Sequence, residues 1–153
     1  PIFECHEGCL CNDKCWNHVS SCPSHFHMEF IQETNQAQGI FLTDSKTVAR
    51  GTFIGIYAGQ YITKAEGYCR MASTGGSYLF NLNFHHLQGI HPGYMIDGER
   101  MGNYNLLQNH SCEANCCVEA CYINKGNPAK LLIAIFANKD INPNDELTLS
   151  YFG

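Results

Sequence analysis

Four side chains with different chemistry follow one another at residues 109–112: the amide of Asn109, the imidazole of His110, the hydroxyl of Ser111 and the thiol of Cys112. The segment is open to three interpretations: a metal site, a nucleophile with its base, or a stretch in which the shape of the backbone matters most. A nucleophilic thiol activated by the imidazole is disfavoured, because neighbouring residues of an extended strand point to opposite faces.

A second group of thiols lies near the start of the chain, where Cys5, Cys9, Cys11 and Cys15 have the spacing C-x3-C-x-C-x3-C. These gaps are too short for ordinary disulfide bridges, so the pattern predicts zinc binding. Thiolates one residue apart rarely bind the same tetrahedral ion, which indicates sulfurs shared among several zinc ions. Four cysteines are too few for such a cluster. We therefore expect either further ligands upstream of Pro1 or a first segment that is only partly organised.

The remaining histidines and cysteines have no familiar ligand spacing. We interpret five histidines as solvated or packing residues rather than metal ligands: His25, His27, His85, His86 and His91. Cys117 and Cys121 are predicted to be buried thiols, whereas the role of Cys116 is left open.

Length and composition favour one globular domain. The chain has 153 residues, of which 44% are hydrophobic and 15% charged. No apolar run approaches the length of a membrane span, so we expect no membrane partner. The net charge of −5 argues against electrostatic binding of nucleic acid and leaves room for a basic peptide.

The elements that must position these side chains are mostly short strands. Runs rich in β-branched and aromatic residues, separated by Gly, Asn and Pro, predict strands at residues 39–43, 52–63, 77–84, 94–97, 130–141 and 146–152. Residues 63–72 have the only plausible helical pattern, which Gly67 weakens. The fold class is therefore predicted to be mostly β.

Four motifs in order carry a family resemblance that covers nearly the whole chain. They are "ECHEGCLCNDKCWNHV", "QGIFLTDSKTVARGTFIGIYAG", "DGERMGNYNLLQNHSCEANC" and "IAIFANKDINPNDELTLSYFG". Together they resemble the SET-domain protein lysine methyltransferases of the heterochromatin type. The resemblance implies a SET fold of small curved β-sheets with a C-terminal pseudoknot. It also implies that residues 1–20 are the end of a truncated, cysteine-rich, zinc-binding pre-SET region, that residues 21–153 are the SET domain, and that no post-SET region follows.

The resemblance also assigns the cofactor and metal sites. The Asn-His pair of the third motif would lie against S-adenosylmethionine, so His110 would be neither nucleophile nor base. The residues implied to bind the cofactor are Gln38, Gly39, Asn109, His110 and Tyr151. Cys112 resembles the thiol that family members combine with post-SET cysteines to bind one more zinc, so it joins Cys5, Cys9, Cys11 and Cys15 among the predicted metal ligands.

The implied reaction is methyl transfer to a lysine side chain. A narrow aromatic channel that excludes water favours the neutral amine that such a transfer requires. By resemblance Tyr57, Tyr78 and Tyr151 would line this channel, with the hydroxyl of Tyr151 closest to the methyl group. Leu149 occupies a position that is commonly Phe or Tyr in the family and controls how many methyl groups are added. Since leucine has no hydroxyl to hold a water there, an active protein should make di- or trimethyl-lysine.

Several positions depart from the family pattern: Ala37, Leu106, Ala114 and Ser150. Two functions therefore stay open. The first is a nuclear, chromatin-associated lysine methyltransferase that uses S-adenosylmethionine and zinc, with a basic histone H3 tail as substrate. The second is a catalytically inactive SET fold that serves as a chromatin- or peptide-binding module.

Overall fold

The computed structural model describes residues 1–6, 8–12, 14–21, 24–32, 38–75, 78–83, 93–123 and 131–152. Strands outnumber helices within these ranges, which confirms the predicted mostly β class. None of the helices described is long and apolar enough to cross a membrane. Ala37 and the histidines at 85, 86 and 91 lie outside the described residues, so their predicted roles stay predictions.

The larger sheet contains eight strands. Six of them pair in the order β2-β3-β11-β9-β10-β4, while β1 adds to β9 and β8 adds to β11. Their bounds are Ile2–Phe3 (β1), Met28–Ile31 (β2), Gly39–Leu42 (β3), Phe53–Tyr57 (β4), Asn109–His110 (β8), Cys116–Tyr122 (β9), Leu132–Ala137 (β10) and Glu146–Leu149 (β11). The last strand thus contacts strands from three separate parts of the chain.

A smaller, antiparallel sheet of three strands lies beside the helix. Its order is β5-β7-β6, with bounds Gln60–Thr63 (β5), Leu79–Asn81 (β6) and Tyr94–Asp97 (β7). The helix α1, Lys64–Thr74, begins where the hydroxyl of Thr63 accepts a hydrogen bond from the Glu66 amide at 3.2 Å. It ends at Gly75, whose φ of 82° is the left-handed conformation that glycine adopts most easily.

Buried aliphatic side chains from the large sheet form the core, and their alternation along the strands places them on its inner side. Fully buried examples are Ile40, Leu42, Ile54, Ile133, Ile135 and Leu147, and Leu131 and Ile141 join them from outside the strands. Because β3, β4, β10 and β11 all contribute, the closing strand is held by the packing of the whole sheet.

The predicted elements differ from the observed ones at residues 52–63 and in four strands that were not predicted. Residues 52–63 form two strands in different sheets rather than one, because the chain turns at Ala58 and Gly59, where an added Cβ on Gly59 would lie 2.6 Å from the Asp97 carbonyl oxygen. Strands β1, β2 and β8 were not predicted, and strand β9 was missed because its cysteines carry a weak strand signal. The helix is found where it was predicted, and Gly67 lies inside it, where an added Cβ would lie 2.3 Å from the Met95 sulfur and would displace that side chain.

Candidate active site

Two of the three predicted channel tyrosines line one cavity. Tyr57 ends β4 and Tyr151 follows β11, and both contribute to a cavity of about 150 Å³ together with Leu149, Phe80 and Gln108. Tyr57 is buried, and its ring lies 5.5 Å from that of Phe80. The walls are thus largely aromatic and aliphatic, as a channel for an alkyl amine requires.

Both tyrosine hydroxyls donate to backbone carbonyls. Tyr57 Oη donates to the Tyr78 oxygen at 2.9 Å, and Tyr151 Oη donates to the Gln108 oxygen at 2.6 Å. Burial is the main cause that raises the pKa of the Tyr57 hydroxyl above its usual value. Tyr151 is 58% exposed, so only the partial desolvation of its hydroxyl at the cavity raises that pKa, and the charge that ionisation of Tyr78 would add raises both pKa values further. Both groups therefore stay neutral hydrogen-bond donors at physiological pH.

Tyr78 contributes to this region in a different way from the other two tyrosines. Its backbone oxygen accepts the bond from Tyr57, while its side chain, 38% exposed, lines a neighbouring cavity of about 400 Å³ with Arg100 and Tyr104. The structure therefore places the Tyr78 backbone, rather than its ring, against the channel wall.

The predicted cofactor residues Gln38, Gly39 and Asn109 lie together at the junction of β3, β8 and β11. Asn109 Nδ2 donates to the Gln38 carbonyl oxygen at 2.6 Å and to Glu146 Oε1 at 2.7 Å. A Cβ on Gly39 would lie 2.5 Å from the same carboxylate oxygen, so a side chain here would displace Glu146 from its bond with Asn109. Sequence reasoning did not single out Glu146, although it stands in the closing motif.

His110 contacts the closing segment from its own strand. Its Nδ1 accepts a hydrogen bond from the Tyr151 amide at 3.1 Å, and its ring centroid lies 5.3 Å from that of Tyr151 and 5.1 Å from that of Phe152. The histidine thus fixes the start of the segment that carries the channel tyrosine.

The geometric argument against a pairing of Cys112 with His110 is wrong, because the thiol lies in a turn after β8 and its Sγ is 3.6 Å from His110 Nε2. The two residues are still not a nucleophile and its base, but this conclusion rests on a different observation. Since Nδ1 accepts from the Tyr151 amide, the proton of a neutral imidazole lies on Nε2, which then donates and does not accept. His110 is therefore not placed to remove the thiol proton.

Asn115 holds the closing strand from the turn before β9. Its Nδ2 donates to the Glu146 carbonyl oxygen at 2.7 Å, and its Oδ1 accepts from the Thr148 amide at 2.8 Å. The side chain thus substitutes for a strand neighbour at the point where β11 needs one. Sequence reasoning missed this role, although Asn115 stands three residues after Cys112 in the quoted motif.

The N-terminal thiols form a cluster whose membership differs from the prediction. Ligand atoms of Cys5, Cys11, Cys15 and His18 all lie within 4.8 Å of one another. The Cys5 and Cys15 sulfurs are 3.9 Å apart, and the Cys11 sulfur is 3.6 Å from His18 Nε2. Zinc–sulfur and zinc–nitrogen bonds of about 2.3 and 2.0 Å give tetrahedral edges of about 3.5 to 3.8 Å, so this donor set fits zinc.

The other predicted metal ligands lie apart from this cluster. Within the described part of the chain, no second group of three or more possible ligands includes Cys9 or Cys112. Cys112 instead lines a surface cavity with Cys116 and Cys117. His18 was missed because it lies outside the cysteine spacing.

The prediction of buried thiols holds for one of two cysteines. Cys121 is fully buried, and burial raises its pKa to about 11. Cys117 is half-buried, because its side chain lies toward the surface cavity. Cys116, left open by the sequence, is buried, and its pKa is raised to about 12 by that burial.

Comparison with known proteins identifies the family of the chain. The profile described as "SET domain" matches residues 39–152, which include the tyrosine cavity and the junction around Asn109. The chain belongs to the SET-domain family. This SET domain is 31% identical, over 99% of the chain, to the "Histone-lysine N-methyltransferase, H3 lysine-9 specific" of Schizosaccharomyces pombe, of which it covers 31%.

Solved structures confirm the SET fold. The Neurospora SET domain protein DIM-5, a histone lysine methyltransferase, superposes with a TM-score of 0.83 at 28% identity, over 98% of this chain and 61% of that one. Arabidopsis thaliana SUVH6 in complex with SAM gives 0.84 at 24% identity, over 99% of this chain and 34% of that one, a likeness that shows the fold. The chain spans less than two thirds of each of these relatives.

Proposed function

We propose that this SET domain is an S-adenosylmethionine-dependent protein lysine N-methyltransferase acting on the tail of histone H3. One observation carries the proposal: the strand pairing that joins Asn109 to β11 also brings Tyr151 to an apolar cavity that Tyr57 lines. Tyr151 would therefore lie both beside the cofactor position and on the wall of the amine channel. Residues 1–20 would be the end of a pre-SET region and residues 21–153 the SET domain.

The relatives support a histone substrate and a location on chromatin. The S. pombe relative is a histone methyltransferase specific for H3 lysine 9, and the net charge of −5 suits a basic tail. With a histone substrate, the protein would act in the nucleus, on chromatin. Nothing in the charge of the chain favours direct binding of nucleic acid.

The residues of the channel would prepare the lysine amine. Aromatic and aliphatic walls exclude water and disfavour the ammonium form, so the neutral amine with its lone pair is favoured. The neutral hydroxyls of Tyr57 and Tyr151 would orient the amine and stabilise the positive charge that develops on its nitrogen during transfer. S-adenosylmethionine, when bound, supplies an activated methyl group. Tyr78 would support the channel through the bond that its backbone accepts from Tyr57.

The cofactor would be held by the junction of β3, β8 and β11. Gln38 and Gly39 offer backbone groups there, and the side chain of Asn109 fixes their position through its bond to the Gln38 oxygen. His110 would complete this wall together with Tyr151, whose amide it binds. The close approach at Gly39 keeps a side chain out of the space beside Asn109.

Zinc would be bound by Cys5, Cys11, Cys15 and His18. The site lies next to β1, where Asn17 Nδ2 donates to the Phe3 carbonyl oxygen at 2.9 Å and contacts the Cys5 sulfur at 3.5 Å. An ion here would thus stabilise the attachment of the first segment to the large sheet. Cys9 and Cys112 remain predicted ligands. A metal site that included either of them would need further donors beyond the residues that the structure describes.

The test measures cofactor binding and methyl transfer separately on the full-length protein. Calorimetry with S-adenosylmethionine should show binding, and incubation with histone H3 tail peptides should give methyl-lysine by mass spectrometry. Cofactor binding without transfer to any lysine peptide would contradict the enzymatic proposal. Absence of both would favour the second function, an inactive SET fold that binds peptides. The departures from the family pattern at Leu106, Ala114 and Ser150 support that second function.

A further inference from the structure

Tyr57 lies at the end of an edge strand. It is the last residue of β4, and within the described part of the chain β4 pairs with β10 alone. After Ala58 and Gly59 the chain enters β5, which belongs to the smaller sheet. The second edge of β4 therefore offers backbone groups beside Tyr57 that no described strand binds. The position of the tyrosine depends on what binds those groups instead.

The side chain of Asn103 binds the peptide groups on both sides of Tyr57. Its Nδ2 donates to the Ile56 carbonyl oxygen at 2.8 Å, and its Oδ1 accepts from the Ala58 amide at 3.4 Å. A parallel strand would bind the same two groups, one before and one after the residue that it faces. One asparagine side chain thus substitutes for a neighbouring strand at the position of the channel tyrosine.

Asn103 makes these bonds in place of a helix cap. It occupies the N-cap position of the 3-10 helix Tyr104–Leu107, where an asparagine side chain commonly accepts a hydrogen bond from an amide of the first turn. The Asn103 side chain makes no such cap bond, because it is turned toward β4. Asn105 Nδ2 also donates to the Ile56 oxygen, at 2.9 Å, but this bond supports only one side of Tyr57.

The same turn also holds the hydroxyl end of the tyrosine. Tyr57 Oη donates to the Tyr78 carbonyl oxygen at 2.9 Å, and that oxygen accepts a second hydrogen bond from the Gly98 amide at 3.1 Å. Gly98 and Asn103 both lie between β7 and the 3-10 helix. This turn therefore fixes the backbone of Tyr57 and the acceptor of its hydroxyl, while the Tyr57 ring lines the cavity.

We propose that Asn103 is a positioning residue that holds the Tyr57 hydroxyl against the substrate amine. The inference rests on the proposed function and deepens it. Without the two Asn103 bonds the end of β4 is free to shift, and a displacement of about 1 Å at a reacting centre lowers turnover by about a hundredfold. Because Asn103 acts on the bound amine through Tyr57, its loss should lower kcat, and only while the Tyr57 hydroxyl is present.

The experiment is a double-mutant cycle on the full-length protein, with a histone H3 peptide and S-adenosylmethionine both saturating. Asn103→Ala is made in the wild type and in Tyr57→Phe, which removes the hydroxyl and keeps the ring. Asn142→Ala is the control, because Asn142 is exposed, accepts from the Thr47 hydroxyl at 3.3 Å and does not line the cavity. Rates are compared at a temperature at which every variant is folded.

We expect Asn103→Ala to lower kcat by about ten- to a hundredfold in the wild-type background, and Tyr57→Phe to lower it by at least as much. In the Tyr57→Phe background Asn103→Ala should lower kcat by less than about twofold, since the hydroxyl that it positions is gone. Asn142→Ala should change kcat by less than about twofold in both backgrounds. Equal losses for Asn103→Ala in both backgrounds, or no loss in either, would overturn the inference and leave the proposed function standing.

Asn103→Asp is a second, milder variant. It keeps an acceptor for the Ala58 amide and removes the donor to the Ile56 oxygen, which still accepts from Asn105. Its kcat should also fall in the wild-type background and change little in Tyr57→Phe. A fall that is equally large in both backgrounds would count against the inference even if Asn103→Ala did not fold.

A spectroscopic measurement needs no turnover. In a protein with isotope-labelled tyrosine rings, the NMR signal of Tyr57 is identified by its absence in Tyr57→Phe. That signal should shift in Asn103→Ala, whereas the signal of Tyr68, which is exposed on α1, should not. An unchanged Tyr57 signal would contradict the inference. If the wild type methylated no lysine peptide, the proposed function would fail, and the NMR comparison would still decide whether Asn103 positions Tyr57.

Discussion

At the scale of single residues, the hydroxyl of Tyr151 is the group that the proposed reaction depends on most. Tyr151→Phe removes one donor and keeps the ring, so turnover should fall by about a hundredfold or more while the affinity for S-adenosylmethionine changes little. Tyr68→Phe, at an exposed position on α1, is the control and should leave the rate unchanged. An unaltered rate in Tyr151→Phe would mean that Tyr151 serves only in packing.

Tyr57 gives a prediction about stability and pH. Its pKa in the folded protein is raised by burial above the unfolded value of about 10. Above pH 10 the unfolded chain therefore loses a proton that the folded protein keeps. The stabilisation is fully present below that pH and falls by about 1.4 kcal/mol per pH unit until the folded pKa is reached.

Tyr57→Phe removes this titration. The difference in unfolding free energy between wild type and variant, measured by urea denaturation from pH 8 to 11, should be constant up to about pH 10 and shrink above it. A difference that stays constant over the whole range would show that the Tyr57 hydroxyl ionises equally in both states.

Leu149 is the third residue-scale test. Leu149→Tyr adds a hydroxyl to the cavity wall, where it would hold a water in space that a methylated amine needs, so the product should shift toward monomethyl-lysine. Leu149→Phe adds the ring without the hydroxyl and should keep the wild-type product. Mass spectrometry after many turnovers compares them. A wild-type protein that stops at one methyl group would contradict the argument.

At the scale of elements, strand β11 depends on the side chain of Asn115. Asn115→Ala removes the partners of the Glu146 carbonyl and the Thr148 amide, each of which costs about 1 to 3 kcal/mol when left unpaired in the interior. We expect a loss of about 2 to 6 kcal/mol in unfolding free energy, measured by urea denaturation.

Asn83→Ala is the matched control for that test. Asn83 is exposed and binds the Lys64 ammonium group, so its loss should change stability by less than about 0.5 kcal/mol. Similar losses in both variants would show that Asn115 does not hold the closing strand.

At the scale of the whole molecule, the N-terminal cluster ties the first segment to the large sheet. Strand β1 pairs with β9, and Glu4 accepts hydrogen bonds from the amide and hydroxyl of Ser20 at 2.7 and 2.6 Å. Removal of zinc by a chelator should therefore lower the melting temperature of the whole domain, because metal binding here replaces a hydrophobic core.

Substitutions identify the ligands of that ion. His18→Ala should release about one zinc per chain in elemental analysis and lower the melting temperature, since it removes one of four donors. Cys69→Ser, at an exposed position on α1, should leave the zinc content unchanged. A folded preparation with reduced thiols that contained no zinc would contradict the proposed metal site.

The sequence by itself determined the class of fold and the family, and it predicted the site residues, which stay predictions. Local patterns were enough for the helix and for the strands other than β1, β2, β8 and β9, because side-chain periodicity and turn residues act over a few positions. Ordered motifs were enough to point to Tyr57, Tyr151 and Asn109, since each stands inside a quoted segment. Periodicity did not predict the break within residues 52–63, where the packing of Gly59 against β7 divides one run into two strands.

The tertiary structure alone decided which of these residues meet and which others join them. His18 enters the cysteine cluster and Asn115 clamps β11 because chain folding, not spacing, brings them there. Gln108 carried no signal in the sequence, since a glutamine is usually exposed. Its side-chain amide donates to Asn105, and its backbone oxygen accepts from Tyr151. The contact with Tyr151 joins parts of the chain that are far apart in sequence, so it exists only in the assembled sheet. Hydrogen-bond satisfaction is a property of the packed interior, so it becomes visible only once the chain is folded.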